Sequence, residues 1–312
     1  MSTIWFLLIL LCLLMYVVLD GYDLGIGIAT LVEPDASHRH EMLEQVAQAW
    51  DGNETWLVLL GVSLWAGFPT AFGTILPHAY LPVIVMLFAL IVRGVSVELA
   101  SQAPPAPRWE RAFGIASLIA ALAQGVAAST LIGAIGWFSA LVAVTVGCGY
   151  LALGYAYAQW KTTGELRARA AHRGRVSTVL ASIAAVACLL AAPPNLHTPA
   201  RLIAFAGLLL FAVAGVVMSM ITSPYDGLPL AGLVTAVVAL VIALVVARYP
   251  LLASPDLTIA KTAAPSGTLT FLAVGIGLNV PLILFYNWFA HHAFRGKAPA
   301  NHLANGRTGA TQ

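Results

Sequence analysis

Charged side chains are scarce in this sequence: they make up 9% of 312 residues, against 60% hydrophobic residues. A soluble domain carries about a quarter of its residues charged, so this composition excludes one. Cysteine is scarcer still. Cys12, Cys148 and Cys188 all lie within apolar runs and form no CxxC pair, which reads as buried packing rather than disulfides or metal ligands. Net charge is only +2 and no basic stripe or binding module occurs, so nucleic acid is not an expected partner. The first apolar run has no basic residues ahead of it and no small-x-small cleavage site behind it. It reads as a retained span rather than a signal peptide.

What the chain has instead is repeated apolar runs of about 20 residues, the length one hydrocarbon crossing requires. They predict an all-α integral membrane protein with about nine spans: 4–30, 51–72, 78–99, 112–132, 136–159, 177–193, 202–222, 228–248 and 267–292. No soluble unit is large enough to fold separately. Residues 1–297 are expected to form a single polytopic transmembrane domain, with 298–312 a short cytoplasmic tail. An external N-terminus puts eleven Lys and Arg in the cytoplasmic loops and tail, from Arg39 to Arg307, against three outside, Arg201, Arg248 and Lys261. The positive-inside rule therefore sets the N-terminus outside and the C-terminus in the cytoplasm. Trp5, Trp109, Trp137, Trp160 and Trp288 fall near span ends, as interfacial aromatics do.

Charge within the spans is confined to the first three: Asp20, Asp23, Asp51, Glu54, Arg93 and Glu98. The alternating span directions bring all six toward the cytoplasmic leaflet. A carboxylate at mid-bilayer costs about 3 kcal/mol and usually faces protein or a water-filled cavity. Asp51 and Glu54 are three apart and share a helix face. Five acids and one arginine cannot all be charged and paired in a dry site. Either some carboxylates hold protons or water enters from the cytoplasm, and both conditions suit a proton entry. The plainer reading makes Asp51 a helix cap and Glu54 part of a capping box, with Arg93 neutralising one acid. Arg93 and Glu98 are five apart, so their partners are expected on other helices.

Gly21, Gly25 and Gly27 follow no strand and read as a close-packing helix surface, as do Gly61 and Gly67. Of the eight histidines, only His78 is placed where it might ligate a haem, so no directly bound haem is expected.

Several motifs resemble subunit II of cytochrome bd-type quinol oxidases, including the cyanide-insensitive branch. They are Leu19 to Gly27 (LDGYDLGIG), Trp50 to Trp56 (WDGNETW), Phe68-Pro69, Tyr80 to Pro82, Arg93-Gly94 with Glu98, Ala263 to Pro265, Thr268-Leu269, and Phe294 to Lys297. The tryptophan-led motif is specific, whereas the middle spans match only in hydrophobicity. The resemblance implies two four-helix bundles plus one peripheral helix, paired through a pseudo-twofold interface with a haem-bearing subunit I. It implies b-type haems, with d-type in some branches, in that partner, quinol oxidation outside, and reduction of O2 to water. In such proteins subunit II normally carries no haem, and some members hold a structural quinone there. A small single-span accessory subunit belongs to the same expectation, as does a bacterial cytoplasmic membrane. By motif match Asp51 is a proton-path residue, Asp20 a second, and Trp50 shapes the route, with Asp23, Glu54 and Glu98 beside them. Two other readings compete: an ion-coupled secondary transporter, which the absence of an internal repeat weakens, and a purely structural subunit.

Overall fold

A computed structural model describes residues 1–102, 106–131, 136–192, 196, 198–252 and 257–293. The described residues form eleven helices: α1 (Ser2–Val32), α2 (Ala36–Ala47), α3 (Trp50–Gly67), α4 (Pro69–Gln102), α5 (Pro107–Thr130), α6 (Trp137–Lys161), α7 (Gly164–Ala191), α8 (Pro199–Met220), α9 (Leu228–Arg248), α10 (Ile259–Thr262) and α11 (Ser266–Ala293). Eight of them are long and apolar enough to cross a membrane, and the all-α membrane architecture is the expected one. The count of nine is not reproduced by that measure. The remaining candidate, α3, has 18 residues, and polar side chains fill its opening turns.

The expected second and third spans, 51–72 and 78–99, are divided differently. The break falls at Phe68, which caps α3 in a non-helical conformation, and Pro69 then opens α4. A residue before proline is pushed out of the α region, which fixes the break there. Residues 73–77, expected as a connection, are helical, and Pro77 and Pro82 are accommodated inside α4. Two expected loops are also largely helical. Residues 36–47 form α2, whose Asp35 cap accepts from the Ser37 and His38 amides at 2.8 and 3.3 Å. Residues 164–176 begin α7, so Arg167, Arg169, Arg173 and Arg175 stand on a helix. The expected tail, together with Arg295, Lys297, Arg307, His197 and His302, lies outside the described residues.

Burial explains why α1 organises the bundle. Its first half buries one stripe, Trp5, Ile9, Cys12 and Tyr16, at helical spacing. From Asp20 to Thr30 every residue is buried, because α3, α5 and α6 close around it. Contact with α6 depends on glycine on both helices: a Cβ on Gly25 would lie 1.8 Å from the Tyr150 carbonyl oxygen, and one on Gly154 2.2 Å from the Gly25 carbonyl carbon. Gly21 and Gly27 likewise sit against Tyr150 and Ser117, as expected of a packing surface. Gly67 packs on Trp5, but Gly61, expected to do the same, has open space where its Cβ would point. Helices α4 and α5, α6 and α7, and α8 and α9 form the three tightest pairs, while α7 touches α8 only sparsely.

Candidate functional site

Where α1 becomes fully enclosed, its first acid meets a cation from α4. Arg93 is wholly buried, and its Nη1 donates to Asp20 Oδ1 at 2.5 Å while Nη2 donates to Glu54 Oε2 at 2.8 Å. A planar guanidinium can fork between two carboxylates in this way, which an ammonium on a flexible stem cannot. Trp50 walls the fork: the Arg93 guanidinium carbon lies 5.8 Å from its ring centroid. Gly94 makes room for that indole, since a Cβ there would be 2.8 Å from it.

Asp23, one turn beyond Asp20, is buried and takes its hydrogen bond from α3. Asn53 Nδ2 donates to Asp23 Oδ2 at 2.8 Å and to the Tyr22 hydroxyl oxygen at 2.9 Å. Tyr22 stacks on Tyr157 of α6 with centroids 4.3 Å apart and planes 4° from parallel. Four buried atoms in this cluster, Asp20 Oδ2, Asp23 Oδ1, Asn53 Oδ1 and Arg93 Nε, have no protein hydrogen-bond partner among the described residues. Buried polar atoms without partners are rare enough that each needs a cause.

Four of the six embedded charges therefore converge: Asp20, Asp23, Glu54 and Arg93, with Trp50 against them. The other two stand apart. Glu54 keeps 25% of its side chain exposed, and Asp51, one turn before it, is exposed at the margin of the cluster. Glu98 is exposed and accepts from Gln102 Nε2 at 2.6 Å. Arg93 finds its partners on other helices, as expected, whereas Glu98 pairs within α4, with Gln102 one turn on. Asn53 and Tyr22 were not singled out by the sequence reading. The available signal was an amide and a phenol inside apolar helices, each beside an acid.

A second charged cluster lies where α1, α2, α5 and α7 meet, and it too was missed. Glu33 is buried and accepts from Arg169 Nη1 and Arg173 Nη1, both at 2.7 Å, with His38 Nδ1 at 3.5 Å. Glu110, also buried, faces Arg39 Nε at 3.4 Å and His40 Nδ1 at 3.7 Å. Arg39 Nη1 additionally donates to the Glu33 and Pro34 carbonyls at 3.0 and 2.9 Å. Outside the spans, the Ser37 hydroxyl and amide hold the Asp35 carboxyl down at about 2. Burial pushes the Glu41 carboxyl up from its usual value.

His78 is exposed and donates from Nδ1 to the Thr74 carbonyl at 2.9 Å, His172 and His292 are exposed, and His38 and His40 face carboxylates. No group of three or more His, Cys, Asp or Glu among the described residues is placed to hold a metal ion.

Comparison with known proteins gives one consistent result. The family described as cytochrome bd terminal oxidase subunit II matches residues 1–294. The chain is 24% identical over 322 aligned positions to cytochrome bd ubiquinol oxidase subunit 2 of Bacillus subtilis, covering 94% of this chain and 95% of that one. It is 26% identical over 201 positions to the cytochrome bd-I ubiquinol oxidase subunit 2 of Escherichia coli, covering 57% and 53% of the two chains. In fold it is similar to a chain of the bd oxidase from Geobacillus thermodenitrificans, with a TM-score of 0.75 at 16% identity over 92% of this chain and 98% of that one.

Proposed function

Since this chain belongs to the cytochrome bd terminal oxidase subunit II family, we propose that it pairs with a haem-bearing subunit I and helps carry cytoplasmic protons toward the haem where O2 is reduced. The observation that carries this reading is the enclosed cluster of three carboxylates, Asp20, Asp23 and Glu54, around the single cation Arg93. An excess of acid over base inside an apolar bundle is the condition for holding and releasing a proton. The groups also run from outside to inside: Asp51 is exposed, Glu54 half-buried, and Asp20 and Asp23 fully buried. Protons would enter at Asp51 and Glu54 and pass the Arg93 fork to Asp20 and Asp23. Trp50 fixes the arginine and narrows the route. With the N-terminus outside, this entry opens to the cytoplasm, and quinol oxidised on the other face would leave its protons outside. The complex would then build a proton-motive force without a pump.

Pairing with subunit I draws support from α4, where Phe88, Ile91 and Val95 form an exposed stripe that Glu98 continues. An apolar stripe ending in a carboxylate is better covered by protein than by lipid.

The purely structural reading draws on the same Arg93 bridges, so the test separates the two. Asp51→Asn and Glu54→Gln are introduced into the intact complex, and quinol-driven O2 consumption is followed across pH. At least a tenfold loss of turnover with an unchanged visible haem spectrum supports proton conduction. Wild-type turnover in both variants removes the pair from the mechanism, and loss of the assembled complex assigns them to structure.

A further inference from the structure

A second polar feature lies away from the carboxylate cluster, in the cleft that the sparse contact between α7 and α8 leaves open. A cavity of about 250 Å³ opens there, lined by Arg167 and Arg175 of α7, Gln159 of α6, Ser219 of α8, and Thr222 and Ser223 of the α8–α9 connection. Ala168, Ala171 and Ile221 supply the apolar part of the lining. A second, much smaller pocket shares Gln159, Ala171, Arg175 and Ser219 with it and is also lined by Gly174 and Leu233.

Arg167, Ala171 and Arg175 are spaced four apart, so they form one stripe of α7, with the two arginine Cα atoms about 12 Å apart along the axis. Charge on this helix is otherwise compensated. Arg167 donates through Nε to Asp226 at 2.8 Å, and Arg169 and Arg173 reach Glu33 at 2.7 Å. Arg175 is exposed and makes no ion pair among the described residues. One positive charge is therefore left over beside a cavity whose lining combines hydroxyl and amide groups with apolar side chains.

We propose that this cleft holds the headgroup of an anionic phospholipid, with the phosphate at Arg175 and an acyl chain along the outer face of the α7–α8 cleft. Basic pockets between membrane helices recognise such headgroups, and each arginine near the surface contributes to their capture. An inorganic anion would use Arg175 but gain nothing from the apolar lining. A zwitterionic lipid would match that lining but not the surplus charge. The proposal requires only that the chain spans a membrane. It stands whether or not the carboxylate cluster conducts protons.

The test uses the purified complex in phosphatidylcholine nanodiscs with phosphatidylglycerol titrated in. Bound phosphatidylglycerol is counted by native mass spectrometry after release. The unaltered complex should retain it, Arg175→Gln should need about five- to tenfold more lipid for equal occupancy, and Arg108→Gln, on α5 and outside the cavity, should leave occupancy unchanged. Arg175 is exposed, so its replacement leaves the packing intact, and melting of the variant checks this. Equal occupancy in Arg175→Gln and the unaltered complex overturns the proposal. So does an equal loss in Arg108→Gln, which would reduce the effect to diffuse surface attraction. Displacement of the lipid by inorganic phosphate at matched concentration would assign the site to a soluble anion instead.

Discussion

The two charged clusters in this chain differ in balance. Around Arg93, three carboxylates share one cation inside an apolar bundle; around Glu33 and Glu110, Arg39, Arg169 and Arg173 are matched once Glu165, which also takes Arg169, is counted. The first lacks cations and is nearly closed to solvent. The second is balanced, and Arg169 and Arg173 keep about a third of their side chains exposed. A closed, acid-rich cluster must hold its charges in place or exchange protons. An open, balanced one can trade partners with water and lipid headgroups at little cost. The difference fits the proton role proposed for the first cluster and the anchoring of helix ends by the second.

The largest test of that contrast is Arg93→Gln. It leaves Asp20 buried without its cation and Glu54 half-buried, and removing one partner of a buried pair costs about 3–5 kcal/mol. The assembled complex should melt well below the unaltered one, or fail to accumulate. Combining it with Asp20→Asn and Glu54→Gln removes the stranded charges and should recover most of the lost stability. Unchanged melting of the single variant would show that the fork holds nothing together. Next in size is Asn53→Leu. It removes the Asn53 amide that donates to the buried Asp23 Oδ2 and to Tyr22, so about 1–3 kcal/mol should be lost. Melting of the complex checks this, and a stability equal to the unaltered protein would mean that Asp23 finds another donor.

The contrast between the clusters also decides what the sequence could reveal. Asp20, Asp23, Glu54 and Arg93 were legible because each interrupts an apolar run, where any charge is expensive and needs a reason. The alternation of span direction was enough to put them at one depth. Glu33 and Glu110 gave no such signal, since acids at helix ends are ordinary, and only packing against α2 and α7 shows that both are buried. The same limit explains α2 and the start of α7, whose polar composition reads as loop although both are helical. Spacing placed Asp51 on the Glu54 face, yet how far each enters the bundle depends on the neighbours that enclose α1. The break at Phe68 was shifted by assigning Gly73 to Pro77 to a connection, when prolines are tolerated inside membrane helices.

At the open cluster the expected effects are smaller. Glu33→Gln removes the shared acceptor of Arg169 and Arg173, but both guanidinia can turn to water, so about 1–2 kcal/mol should be lost. Melting in low and high salt reads this out: the gap between variant and unaltered protein should narrow as salt rises, whereas the Arg93→Gln gap should hardly move. A salt-independent gap at Glu33 would mean that this cluster is as closed as the other.

Smallest of all is the effect at Asp35, which bears on how the open cluster is built. Asp35 caps α2, the helix that carries His38, Arg39 and His40 to Glu33 and Glu110. Replacing a capping Asp by Ala costs about 0.5–2 kcal/mol, and the exposure of this one favours the low end. The sign of its pH dependence follows from its lowered value. Folded, the carboxyl titrates at about 2, because it accepts from Ser37; unfolded, a free Asp titrates near pH 3.9. The cap therefore contributes fully above about pH 4 and is lost as pH falls toward the folded value. Hydrogen exchange at the α2 amides should be faster in Asp35→Ala than in the unaltered protein at neutral pH, and that difference should shrink as pH falls below about 4. A difference of constant size across that range would mean that the carboxylate charge is not what holds α2 in place, and that the open cluster alone fixes the helix.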